Sequence, residues 1–129
     1  MKKTLLFLLL LCALPLFSQG KTQPRSIDFT QALKGLDGKP ITDGATPAIK
    51  ITLSVVSVNA LESALLGDER LAGADKFKMD TLARKIFENK AALLTAEDIA
   101  LLKERLGKAY GALVVGAAWR LLDPVVAAE

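Results

Sequence analysis

The sequence contains no histidine and a single cysteine, Cys12, among its 129 residues. Without an imidazole, Ser-His-Asp and Cys-His nucleophile pairs are excluded, and zinc and most transition-metal sites lose their usual ligands. A glycine-rich phosphate-binding loop is also missing. Aromatic residues make up 5% of the chain, and Tyr110 and Trp119 are each the sole residue of their type. What is present is apolar: 51% of residues are hydrophobic against 24% charged, which excludes a disordered or low-complexity chain. The length fits one domain and excludes a multidomain enzyme.

The first twenty residues read as an export address. Met1-Lys2-Lys3 is basic, Thr4 to Phe17 is apolar with a helix breaker at Pro15, and Ser18-Gln19-Gly20 is small and polar. This is the layout of a secretory signal peptide cut near Ser18 to Gly20. The 14-residue apolar run falls short of the roughly 20 residues that a helical membrane span needs. Leu11 stands where a lipoprotein signal would place a small residue before Cys12. Cleavage removes Lys2, Lys3 and Cys12. It leaves 15 basic residues against 14 acidic ones, a net charge of +1. Strong attraction to nucleic acid or acidic membranes is therefore not expected. The remaining chain has no disulfide to form in an oxidising compartment, so a hydrophobic core alone must hold it.

Residues 21–25 read as a flexible lead-in, residues 26–123 as one globular α+β domain and residues 124–129 as a tail. The domain is expected to be mostly helical: a short N-terminal hairpin of two or three strands, then about four packed helices. Ile27, Phe29 and Leu33 are spaced as an extended segment. Asp37-Gly38 and Asp43-Gly44 mark tight turns, because glycine takes positive φ without steric cost. Ile49, Ile51, Leu53 and Val55 alternate with polar residues as a half-buried strand does. A helix follows, with Val58, Leu61 and Leu65 on its apolar face, Thr52 or Ser54 as a candidate cap and Gly67 at its end. The spacing of Met79, Leu82 and Ile86, widened by Ala83 and Phe87, predicts a helix over residues 74–89. Asp80, Arg84 and Glu88 are placed for ion pairs along it. Lys90 to Leu94 reads as a connection. Thr95-Ala96-Glu97-Asp98 opens a helix carrying Ile99, Leu102 and Leu106, with Thr95 as N-cap. Gly111 separates it from a last helix with Val115, Trp119 and Leu122 on one face. Asp123-Pro124 stops that helix.

Several patterns invite a chemical reading, and each has a plainer one. Glu97 and Asp98 are adjacent, so they point about 100° apart on a helix, and the helix dipole accounts for them. Asp37 and Asp43 flank turns but lack the regular oxygen ligands and closing glutamate of a calcium loop. A carboxylate-dependent hydrolase would require acids such as Asp28, Asp37, Asp43, Glu97 and Asp98 to converge. Gly107 and Gly111 form a G-x-x-x-G, yet Lys103, Arg105, Lys108 and Arg120 interrupt any membrane span. Lys76, Lys78, Arg84, Lys85 and Lys90 are interleaved with acids and point around a helix, as a solvated face does. No catalytic residue, cofactor site or metal site is assigned. If the chain binds a protein partner, Tyr110 and Trp119 are the candidate interface residues.

Two stretches, IDFTQALKGLDGKPI (Ile27 to Ile41) and LTAEDIALLKERLGKAYGALVVGAAWRLL (Leu94 to Leu122), resemble small proteins encoded by bacteriophages and prophages. The likeness spans about Ile27 to Asp123 and implies an accessory protein without a catalytic residue set. Such phage proteins begin near the DFTQ segment and are cytoplasmic, whereas here a leader precedes it. The expected function is that of a small exported, non-enzymatic protein acting by protein–protein interaction. The alternative is a cytoplasmic phage-morphogenesis accessory with a spurious leader.

Overall fold

The structure, a computed structural model, describes residues 23–124. The expected leader, residues 21 and 22 of the lead-in and all but Pro124 of the expected tail lie outside the described residues. The elements are β1 (Arg25–Asp28), α1 (Leu53–Glu62), α2 (Gly73–Glu88), β2 (Ala91–Leu94), α3 (Ala96–Ala109) and α4 (Ala112–Leu122), with a short 3-10 turn at Asp68–Arg70. The fold is α+β and mostly helical, as expected. Its sheet is not the expected N-terminal hairpin. β1 pairs antiparallel with β2, Arg25 opposite Leu94 and Asp28 opposite Ala91, across more than sixty intervening residues. Ala91-Ala92-Leu93-Leu94 has neither β-branched nor aromatic residues. Its strand conformation comes from the partner strand and from burying Ala92 and Leu94, not from local preference. The lead-in also ends earlier than expected, because Arg25 is already in β1.

The residues expected to complete the hairpin instead form a small ring. Leu33 N–H donates to Ile51 O (2.9 Å), Ile51 N–H to Ile41 O (2.8 Å) and Ile41 N–H to Leu33 O (2.8 Å). Three short extended stretches thus satisfy one another through isolated bridges. The two Asp-Gly turns connect them as expected. Asp37 accepts from Lys39 N–H, Asp43 accepts from Ala45 and Ile49 N–H, and Gly38 and Gly44 both have positive φ. The expected strand through Val55 is cut short at Thr52. Its hydroxyl caps α1, and from Leu53 onward the buried positions are Leu53, Val56, Ser57, Ala60 and Leu61. Alternation and helical spacing overlap at Leu53, and the cap decides between them. Val58 is only half-buried and Leu65 lies beyond the helix.

α2 buries Met79, Leu82, Ala83 and Ile86, whereas Phe87 is 77% exposed and not part of the core stripe. Asp80 and Arg84 pair at 2.8 Å. Glu88 forms no salt bridge among the described residues. Burial and the neighbouring Asp80 carboxylate, from across the α1–α2 contact, hold the Glu62 carboxyl above its ordinary pKa. α3 opens with the expected Thr95 N-cap, completed as a capping box: Thr95 Oγ1 accepts from Asp98 N–H, and Asp98 Oδ2 accepts from Thr95 N–H, both at 3.1 Å. α4 starts at Gly111 but buries Ala117, Ala118 and Leu122 in place of the expected Val115–Trp119–Leu122 face. Val114 and Leu121 pack half-buried against the core, while Leu113 and Trp119 are turned outward.

Sequence periodicity gives no hint that Arg105 is buried, yet it is 2% exposed in the middle of α3. Its guanidinium grips Asp68 with two parallel bonds, Nη1 to Oδ1 at 2.6 Å and Nη2 to Oδ2 at 2.8 Å. Nε donates to Ala60 O (3.0 Å) and Nη2 also to Ser63 O (2.8 Å), the carbonyls at the end of α1. Asp68 Oδ2 in turn accepts Leu65 N–H at 2.7 Å. The Arg105 guanidinium, followed by the Leu65 N–H, lowers the Asp68 pKa to about 2. A lowered folded pKa means the pair stabilises fully above the ordinary carboxylate range, and that contribution is lost as pH falls toward 2. Removing one member of a buried pair strands the other. Arg105→Leu is therefore expected to cost about 3–5 kcal/mol of unfolding free energy, measured by urea denaturation at neutral pH. Asp68→Asn is expected to flatten the loss of stability between about pH 4 and pH 2 that the unsubstituted chain shows.

Candidate interaction surface

The last helix, ALVVGAAWRLL, carries one charge, Arg120. A soluble helix that is apolar nearly all round normally buries most of its circumference. α4 packs chiefly on α3 and presents the rest of its surface outward. Trp119 is 41% exposed, and Leu113 and Ala112 are exposed as well. Arg120 folds back along the helix across Gly116, where a Cβ would sit 3.2 Å from its Nη1.

Trp119 is held in position. Lys103, on α3, places its Nζ 5.2 Å from the indole centroid, within cation–π range. The same Nζ lies 3.3 Å from Asp123 Oδ2. Asp123 caps α4 and also receives Arg25 Nη1 at 3.4 Å, while Arg25 Nη2 donates to Leu122 O at 3.1 Å. Lys103, followed by Arg25, keeps the Asp123 carboxyl below its ordinary pKa. One carboxylate thus ties β1, α3 and the end of α4 together beside the indole. Tyr110 is placed differently. It caps the C-terminus of α3 and is half-buried against the core. The structure brings Trp119 and Lys103 together, while Tyr110 stands between α3 and α4 against the core. In the sequence Lys103 stands out only as an interruption of an apolar run. The i, i+16 spacing that carries it to Trp119 crosses a helix–helix contact and leaves no local signal.

Other chemical candidates fall apart spatially. Asp28 accepts from the Thr30 N–H and hydroxyl, and Asp43 from Ile49 and Ala45 N–H. These bonds hold both carboxyls below their ordinary pKa and leave them as turn formers. Asp37 serves its own turn and Asp98 its capping box. Glu97 and Asp98 share a cleft of about 250 Å³ between α2 and α3 with Asp75, Lys78, Glu104 and Lys108, where acids and cations alternate. Ser57 Oγ is buried with no hydrogen-bond partner among the described residues, so no base beside it would take its proton. No group of three or more potential metal-ligating side chains occurs among the described residues. No described helix is long and apolar enough to cross a membrane.

Because Trp119 is the sole tryptophan, its fluorescence reports on this face alone. Acrylamide is expected to quench it readily in the folded chain. Lys103→Met is expected to change its emission without altering the helical circular dichroism. An indole shielded from acrylamide would contradict the exposed placement.

The chain matches no family model, no curated protein and no solved structure.

Proposed function

We propose that this chain is a small exported, non-enzymatic protein that works by holding a protein partner on the Trp119 face of α4. The observation that carries the reading is a lone tryptophan, half-exposed and braced by a cation, on a helix with a single charge. Tryptophan anchors dominate many interfaces because one rigid side chain buries a large area at little entropic cost. Ala112, seven residues before Trp119, continues the same face toward the start of α4, and Arg120 supplies a polar border. The leader-like first twenty residues support a site of action outside the cytoplasm.

A second reading rests on the resemblance of residues 27–123 to small phage-encoded proteins. It makes the chain a cytoplasmic accessory of virion assembly. An N-terminus near Ser26 on the native protein, recovered from the cytoplasmic fraction, would favour it.

Fusing residues 1–25 to a reporter active only outside the cytoplasm is expected to give signal, and a silent fusion removes export from the reading. In a pull-down from envelope extract, the unsubstituted chain is expected to retain a partner that Trp119→Ala loses at unchanged circular dichroism. Equal capture by both baits would remove α4 as the binding face.

A further inference from the structure

The two edges of the small sheet are treated differently. Phe29 N–H donates to Lys90 O at 2.9 Å, continuing the β1–β2 register. That makes Ile27–Ala92 and Arg25–Leu94 the pairs that exchange ladder bonds, since such pairs recur every second residue. Ser26 and Asp28 on β1, and Ala91 and Leu93 on β2, therefore turn their backbone groups away from the partner strand. The β1 edge is guarded: Pro24 precedes it, Arg25 and Asp28 bound it, and Gln31 Nε2 donates to Asp28 O at 3.2 Å. The β2 edge is bare. Ala91-Ala92-Leu93-Leu94 has no charge, proline or bulge. Ala91 and Leu93 are exposed, Leu93 by 54%, and their N–H and C=O groups have no hydrogen-bond partner among the described residues. Soluble proteins normally blunt such an edge with the devices seen on β1.

We propose that two copies of the chain pair through these bare edges, their β2 strands running antiparallel about a twofold axis at Ala92, to make one four-stranded sheet.

The register of the strand fits its own copy. Only Ala91 and Leu93 point outward, two residues apart. Antiparallel self-pairing centred on Ala92 sets Ala91 against Leu93 of the second copy and Leu93 against its Ala91, four backbone bonds in all. On the exposed face each leucine packs over an alanine. On the axis, the two Ala92 residues form the close, non-hydrogen-bonded pair, where small side chains fit. No like charges meet, because the two Lys90 residues fall at opposite ends of the ladder. The contact is small beside the roughly 1,200 Å² that a stable interface buries, so the dimer is weak and concentration-dependent. It uses a different surface from Trp119 and stands apart from the reading of α4.

Sedimentation velocity of the full chain, from low micromolar to submillimolar concentration, tests this. A monomer–dimer shift is expected. Leu93→Lys puts a charge on the edge, and Leu93→Pro removes an outward N–H without touching the β1 ladder. Each is expected to weaken association at least tenfold. Leu36→Lys and Trp119→Ala are expected to leave it unchanged. If the proline variant unfolds by circular dichroism, the lysine variant decides. A monomer across the whole range overturns the proposal. So does association that survives the Leu93 substitutions, or association lost with Trp119.

Discussion

The fold hinges on one buried guanidinium. Arg105 sits inside α3, which contacts α1, β2 and α4. Its donors satisfy two carbonyls at the end of α1 and both oxygens of Asp68 in the turn that follows. The last carbonyls of a helix have no partner within it. Here a side chain from a different helix supplies one, so Arg105 acts as a remote cap. Burying an isolated charge is prohibitive, and burying a paired one is tolerable only when the remaining donors find acceptors. The network meets that condition with four bonds from one side chain. It also fixes where α1 must end and where the chain must turn toward α2.

The outer surface follows from that placement. With α3 held against α1, its other flank receives α4 through Ala117, Ala118 and Leu122. Val114 and Leu121 pack half-buried beside these residues, which leaves Ala112, Leu113 and Trp119 exposed. Asp123 then clasps Arg25 and Lys103, so the start of β1 and the end of α4 meet on α3. Lys103, which lies over the Trp119 ring, thereby shares one carboxylate with Arg25. The indole stands beside a cluster that keeps one net positive charge, a surface suited to an apolar contact with a charged border.

Local signals in the sequence were reliable where the deciding contacts span a few residues. The Thr95 N-cap, the Asp-Gly turns, the Met79–Leu82–Ile86 stripe and the Ile99–Leu102–Leu106 stripe all appear in the fold. The misreadings share a different cause. Ile49 to Val55 carries two periods at once, and the Thr52 cap resolves them toward helix. Ala91 to Leu94 has no strand signature of its own. Phe87 and Trp119 look like core by spacing, yet each sits at the margin of a stripe, where burial depends on which neighbour packs there. The candidate site was half legible. Trp119 stood out by its rarity, whereas Lys103, Asp123 and Arg25, which brace it, come from three elements.

By itself the sequence determined a mostly helical α+β chain, most of its helix boundaries, its tight turns and the chemistries open to it, because caps, turns and periodic stripes are settled between near neighbours. Tertiary structure alone decided that β1 pairs with β2, that Arg105 and Asp68 meet in the interior, and that α4 turns its tryptophan outward. Those outcomes depend on partners 37 to 69 residues away, or on how closely one helix approaches another. No pattern within a single element records them.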